Sequence, residues 1–257
     1  SGKTTLALNI VDNALKMGYN VLYVDPEQGV DIPFARSIIG DLVDSRDRFV
    51  LLKPKTMEES LGICENGVRS GNFNLVVLDS IGSMAPQKVF DDDLGDANVG
   101  LLSRRLTTFL QRNSFEVRHN NVAFVGVNQV RDKIGAYVPT LETPGGHAWK
   151  HVTSLRIMLT KMGGKEGVIL QGDETIGIQT KFVIKKSKVS APFRAFYFPI
   201  MFKGGIDKVR DLVEFASTMG ILVGSYYSFE GRTLGNGFNN SVEALRKDPE
   251  LFKRIVE

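Results

Sequence analysis

The sequence predicts an α/β fold built on a mainly parallel central sheet, and three observations carry that prediction. Short apolar runs alternate with helical stretches through the first half of the chain, the pattern of strands joined by right-handed crossovers. The runs are continuously apolar rather than alternating, as strands buried on both faces should be. Residues suited to chemistry cluster where the runs end: Asp25 and Glu27, Asp79, and Asn128 with Gln129. Open sheets of this kind bind ligands at the carboxyl ends of their strands.

The elements follow in order. The chain opens Ser1-Gly2-Lys3-Thr4-Thr5 and passes directly into a helical pattern of Leu6, Leu8, Ile10, Val11, Ala14 and Leu15, stopped by Gly18. Strands are predicted over 21–25, 49–52, 75–79 and 122–127, with helices over 33–39, 57–68 and 100–115 between them. Past Val152 the texture changes, and strands over 155–159, 178–184 and 193–201 extend the sheet antiparallel. Gly204-Gly205 breaks the chain. A helix over 209–219, a hairpin over 226–234 around Glu230-Gly231 and a helix over 242–256 then form a small tail. The predicted division is a core over residues 1–204 and a small α+β domain over 205–257.

Gly-Lys-Thr before a helix is the second half of the phosphate-binding loop G-x-x-x-x-G-K-[ST]. The first glycine and its preceding strand are absent, so the sequence reads as one that starts within the motif. Backbone N–H groups at such a helix start face an anion, Lys3 reaches the β- and γ-phosphates, and the Thr4 hydroxyl holds Mg²⁺. Asp79, closing a four-residue apolar strand, stands where a magnesium-side carboxylate belongs. Glu27, just past the neighbouring strand, is suited to orienting an attacking water, although an exposed loop glutamate reads the same on position alone. Asn128 and Gln129 can sense a γ-phosphate through their amides, or serve as structural amides at a strand end.

Two segments, 89–100 and 130–149, are charged, glycine-bearing and attached to the same strand ends. Arg131 and Lys133 could neutralise phosphates and Ile134 could insert between bases; an ordinary surface loop carries similar residues. Lys181, Lys185, Lys186 and Lys188 form a basic cluster that reads in isolation as a solvated strand face. His119, His147 and His151 lack metal-ligand spacing, and Cys64 fits a packed helix face.

Composition narrows the class. With 257 residues, 42% of them hydrophobic and 24% charged, the chain is of ordinary globular type. Its net charge of +3 permits a polyanionic partner without demanding one. No apolar run approaches the ~20 residues of a membrane span. A single cysteine excludes an internal disulfide, and a cytoplasmic location is expected.

Taken as blocks, SGKTTLAL (1–8), YVDPEQGVDIPFAR (23–36), LVVLDSIGSMAP (75–86), LGDANVGLLSRRL (94–106), VNQVRDKIG (127–135), ETPGGHAWK (142–150), KKSKVSAPF (185–193) and GRTLGNG (231–237) resemble the bacterial-type RecA homologous recombinases, phage-borne relatives included. The resemblance spans nearly the whole chain. It implies a phosphate-loop NTPase core with a small C-terminal domain. It also implies a single-stranded-DNA-dependent ATPase that forms a filament and exchanges strands with homologous duplex DNA.

Matched residue by residue, it places ATP and Mg²⁺ on Ser1, Gly2, Lys3, Thr4, Thr5 and Asp79, and the adenine beside Asp31 and Phe34. Glu27 falls on the catalytic glutamate, and Gln129 on the residue coupling γ-phosphate to the second DNA loop. Gly100, Arg104, Arg131, Lys133, Gly145 and Gly146 match DNA-loop positions, while Val99 and Ile134 match apolar wedges between base triplets. Lys186 and Lys188 match lysines that reach a neighbouring subunit's ATP, which replaces the solvated-face reading. Departures are Gln111 in place of a basic residue, Asp132 inside the DNA loop, His151 at an interface aromatic and Lys203 in place of a glycine. A hexameric ring helicase and a nucleotide-dependent scaffold without turnover are the alternative readings.

Overall fold

The structure is a computed structural model that describes residues 2–91, 100–132 and 141–256. It divides into two compact units, Gly2–Met158 with Val183–Arg194, and Leu159–Phe182 with Ala195–Glu257. The second unit thus takes antiparallel strands together with the tail, whereas the sequence suggests a division near Gly204.

The first unit starts with helix α1 (Lys3–Lys16), followed by β1 (Val21–Val24), α2 (Ile32–Ile39), β2 (Phe49–Leu52), α3 (Met57–Arg69) and β3 (Leu75–Leu78). A four-residue helix α4 (Lys88–Asp91), the long α5 (Leu101–His119) and β4 (Ala123–Gly126) come next. The four strands are parallel in the order β2-β1-β3-β4, as their alternation with helices predicts. Strands β1 and β3 are buried along their whole length, which explains their unbroken apolar runs.

Period-two geometry sorts their side chains. Val21, Tyr23, Leu75 and Val77 pack with Leu8, Val11 and Leu15 of α1 on one face, while Leu22, Val24, Val76 and Leu78 pack with Met57, Leu61 and Cys64 of α3 and Leu106 and Phe109 of α5 on the other. The helix starts are chemically marked. Asp31 caps α2 by accepting from Phe34 N at 3.0 Å, and Thr56 caps α3 by accepting from Glu59 N at 3.2 Å.

After β4 the chain forms a short antiparallel pair, β5 (Arg131–Asp132) with β6 (Leu141–Glu142), and then helix α6 (Gly146–Val152). The sequence reading leaves 130–149 as loop, so this helix is a correction. Its start needs Gly145 at φ 100°, and a Cβ there would lie 2.9 Å from Leu106 Cδ1. A Cβ on Gly146 would lie 3.3 Å from Ser103 Cβ. Two glycines therefore let α6 lie close against α5, a tertiary requirement that local pattern cannot reveal.

The antiparallel strands are β7 (Leu155–Lys161), β8 (Val168–Gln171), β9 (Glu174–Ser187), β10 (Ala195–Met201) and β11 (Gly205–Ile206). Strand β8 is not among the predicted elements; it forms a hairpin with β9 around Gly172 at φ 61°. The tail holds α7 (Lys208–Thr218), a hairpin of β12 (Ser228–Phe229) and β13 (Arg232–Thr233), α8 (Phe238–Arg246) and α9 (Pro249–Val256). Glu230 and Gly231 both have positive φ, 49° and 78°, as a tight turn between two strands requires. The single helix expected over 242–256 is two, because Pro249 has no N–H to continue α8 and Asp248 caps the new helix at Leu251 N, 3.0 Å away. Val213, Ala216, Leu222, Val242, Leu245 and Leu251 give the tail its own core. Among the described residues no helix is long and apolar enough to cross a membrane.

Candidate functional site

The site is assembled where α1 begins and where β1, β3 and β4 end, all within the first unit. Gly2 sits at φ 82° just before α1, and Leu6 N donates to Gly2 O at 3.0 Å, so the helix is formed from its first turn. No acidic residue lies in that turn to compete for its N–H groups. Ser1 is outside the described residues.

Asp79 follows β3 and is 4% exposed. Its Oδ2 accepts the Thr4 hydroxyl at 2.8 Å and the Tyr23 hydroxyl at 2.7 Å. Burial raises the Asp79 carboxyl above its ordinary range; the Tyr23 and Thr4 hydrogen bonds oppose that shift, and the nearby charges of Asp25 and Glu27 add to it. Burial, followed by the Asp79 charge, pushes the Tyr23 phenol upward, so it remains a neutral donor. A hydroxyl and a carboxylate beside a helix N-terminus suit Mg²⁺, which takes oxygen ligands and commonly uses one or two protein groups plus phosphates. Among the described residues, no group of three or more His, Cys, Asp or Glu forms a self-sufficient metal cage.

Asp25 is buried, and its carboxylate shapes the turn that carries Glu27. It accepts Gly29 N at 3.2 Å and Val30 N at 2.9 Å, while Lys53 Nζ lies 3.9 Å away and donates to Val30 O at 2.9 Å. Glu27, exposed at the tip of this turn, has its Oε2 fixed by the Ser80 hydroxyl at 3.0 Å and approached by Gln129 Nε2 at 3.4 Å. Ser83 Oγ donates to Ser80 O at 2.8 Å and braces the same corner. The Ser80 hydroxyl and the Gln129 amide thus both face one oxygen of Glu27. Asn128 acts structurally. It donates to Pro144 O at 2.7 Å and accepts Gln129 N at 2.9 Å, tying the end of β4 to the residues before α6.

Other expected residues have different surroundings. Asp31 uses its carboxylate as the α2 cap, and Phe34 packs partly against the core on the α1 side. Lys186 Nζ donates to the carbonyls of Lys150 at 2.8 Å and His151 at 2.7 Å, and Lys188 Nζ to that of Val152 at 3.3 Å. Both lysines therefore satisfy carbonyls at the end of α6. Desolvation and the charges of Lys188 and Arg156 lower the Lys186 ammonium below its ordinary range. Gly100, at φ 78°, precedes α5, and Arg104 lies exposed on its first turn. Arg131 is placed by its backbone in β5. Val99, Lys133 and Ile134 lie outside the described residues. Sequence reasoning overlooked Tyr23 and Ser80. The available signal for Tyr23 was a hydroxyl inside a fully buried strand, where it needs a partner.

Known proteins are similar to this chain in sequence and in fold. A family model described as the RecA N-terminal domain matches residues 1–207. Protein RecA of Heliobacterium modesticaldum is 37% identical over 258 residues, covering 99% of this chain and 72% of that protein. Protein RecA of Mannheimia haemolytica is 34% identical over 260 residues, covering 100% and 68% respectively. The crystal structure of the RadB recombinase superposes with a TM-score of 0.55 at 23% identity, over 80% of this chain and 84% of that one, a likeness of fold. The family match over the phosphate loop, the strand-end carboxylates and the antiparallel strands makes this chain a member of the RecA family of recombinases, ATP-hydrolysing enzymes of recombination and DNA repair.

Proposed function

We propose that the chain is a single-stranded-DNA-dependent ATPase that assembles as a filament and pairs the bound strand with homologous duplex DNA. The observation that carries this reading is the convergence of the Ser80 hydroxyl and, at 3.4 Å, the Gln129 amide on one oxygen of Glu27, beside the Thr4–Asp79 pair. Gln129 leads directly into the segment ending at Gly145 and Gly146, so contact with the terminal phosphate and the geometry of a DNA-binding segment share one residue. A segment ordered or released by a γ-phosphate contact is a recurrent switching device.

In this reading the N–H groups of Gly2, Lys3, Thr4 and Thr5, with the Lys3 ammonium, hold the phosphates. Thr4 and Asp79 hold Mg²⁺, which supplies charge neutralisation on the phosphate oxygens. Glu27 orients the attacking water and accepts its proton, and the Ser80 hydroxyl keeps the acting oxygen in place. Phe34 and Asp31 face the base. Lys186 and Lys188, beside the end of α6, serve the site of an adjacent subunit by stabilising charge on the transferred phosphoryl group. Gly100, Arg104, Arg131, Lys133, Gly145 and Gly146 contact DNA, with Val99 and Ile134 separating bases. Sequence is read by base pairing, so the protein needs only backbone and stacking contacts. Residues 205–257, whose apolar cluster includes Val213 and Leu245, serve as a small C-terminal domain, and the protein works in the cytoplasm.

Steady-state ATP hydrolysis with and without single-stranded DNA at two salt concentrations tests this. Strong stimulation that weakens with salt is expected. Hydrolysis indifferent to DNA would remove the assignment of the two loops.

A further inference from the structure

Tyr23 lies in the middle of β1 with 0% exposure, on the sheet face that packs against α1. Its register partner on β3 is Val77, so Asp79 stands two residues farther along on the same face. That offset is about 6.6 Å along a strand, a span that the length of a tyrosine bridges and a serine or threonine does not. The ring is held edge-on by Phe49, with centroids 6.5 Å apart at 70°, which fixes the direction of the hydroxyl. The hydroxyl then ends 2.7 Å from the Asp79 oxygen that also accepts Thr4.

We propose that Tyr23 is a positioning residue for magnesium: its hydroxyl fixes the Asp79 carboxylate, which in turn aims the Thr4 oxygen at the metal. This rests on the ATP and Mg²⁺ reading above. The chemistry follows from hydroxyl valence. While the Thr4 hydrogen is donated to Asp79, its lone pairs point away from that carboxylate and are free for a cation. The bond therefore selects the Thr4 orientation only if Asp79 itself is fixed. Of the two hydroxyls that donate to Asp79 Oδ2, Thr4 stands on the phosphate loop's helix and Tyr23 on the sheet, so Tyr23 is the anchor. Phenylalanine would keep the apolar ring and its packing on Phe49 while leaving a buried carboxylate with one donor fewer, so the apolar packing is retained and the loss falls on the carboxylate.

The test is Tyr23→Phe in the full chain, with binding of a fluorescent ATP analogue followed across a Mg²⁺ titration and in EDTA, alongside thermal melting. The Mg²⁺ concentration for half-maximal binding should rise about tenfold, the lower end of what one hydrogen bond to a charged acceptor is worth, while binding in EDTA stays unchanged. The same substitution made on Asp79→Asn should add no further shift, because the carboxylate it orients is gone. An unchanged Mg²⁺ midpoint in Tyr23→Phe, or equal weakening with and without Mg²⁺, would overturn the proposal. A parent protein whose nucleotide binding ignores Mg²⁺ would instead sink the underlying reading of the site.

Discussion

Ser80→Ala isolates the device that aims Glu27. The Ser80 hydroxyl is 3.0 Å from Glu27 Oε2, while the competing amide of Gln129 is 3.4 Å away, beyond the usual N–H···O range. Ser80 is 1% exposed and braced by Ser83, so its donor direction is set by the fold. A hydrogen bond to a charged acceptor contributes about 1.5–3 kcal/mol when dry. Glu27 is exposed, and solvent screening lowers the expected loss to about 1 kcal/mol, or about fivefold in rate. With Glu27 in its proposed role, steady-state hydrolysis should give a kcat reduced about fivefold with an unchanged KM for ATP, since Ser80 donates to Glu27 and not to the residues proposed to hold the phosphates. A melting curve matching the parent is the control for folding. A kcat equal to that of the parent, or a loss confined to KM, would refute the assignment of Ser80 to Glu27.

Glu27→Gln should keep ATP and DNA binding while abolishing hydrolysis, and Lys3→Ala should abolish turnover through lost phosphate binding; phosphate-release and equilibrium-binding assays separate the two, and normal hydrolysis by Glu27→Gln would remove its role. Gly126→Ala places a Cβ 2.2 Å from the Trp149 indole and 2.9 Å from Ile81 Cδ1. Overpacking of this kind costs about 1–3 kcal/mol, which thermal denaturation should register as a drop of several degrees. Burial, reinforced by Glu214 and Asp207, raises the Asp211 carboxyl to about 6. A carboxyl raised on folding contributes stability below its unfolded pKa and loses it as pH rises through 6. Melting of Asp211→Asn against the parent should therefore show a stabilising advantage that grows from pH 4 to about 6 and then levels; a difference independent of pH would contradict it.

Much of this molecule was legible from the chain. Strands β1 and β3 could be read because both faces of each are buried, so every position must be apolar and the run announces itself. The start of α1 could be read because Gly2, Lys3 and Thr4, which mark it, are neighbours in sequence, and the turn at Glu230-Gly231 because a left-handed backbone needs particular residues. Local chemistry of this kind is written where it acts.

What remained for the tertiary structure were the pairings between distant residues. Tyr23 meets Asp79 across 56 positions and Gln129 meets Glu27 across 102. The first contact follows from strand register and from which face a side chain takes, and a one-residue slip would reverse that face; the second joins turns past β1 and β4, strands that are not neighbours in the sheet. The same reason accounts for α6, whose glycines answer to Ser103 and Leu106 on another helix. It also accounts for Lys186 and Lys188, whose basic cluster carries no mark of the carbonyls it caps. The amino-acid order determined which segments would be strands and which carboxylates and amides would stand at their ends. Only packing decided which hydroxyl, amide or carbonyl each charged group would face, because a hydrogen bond depends on positions in space that separate stretches of chain must reach together.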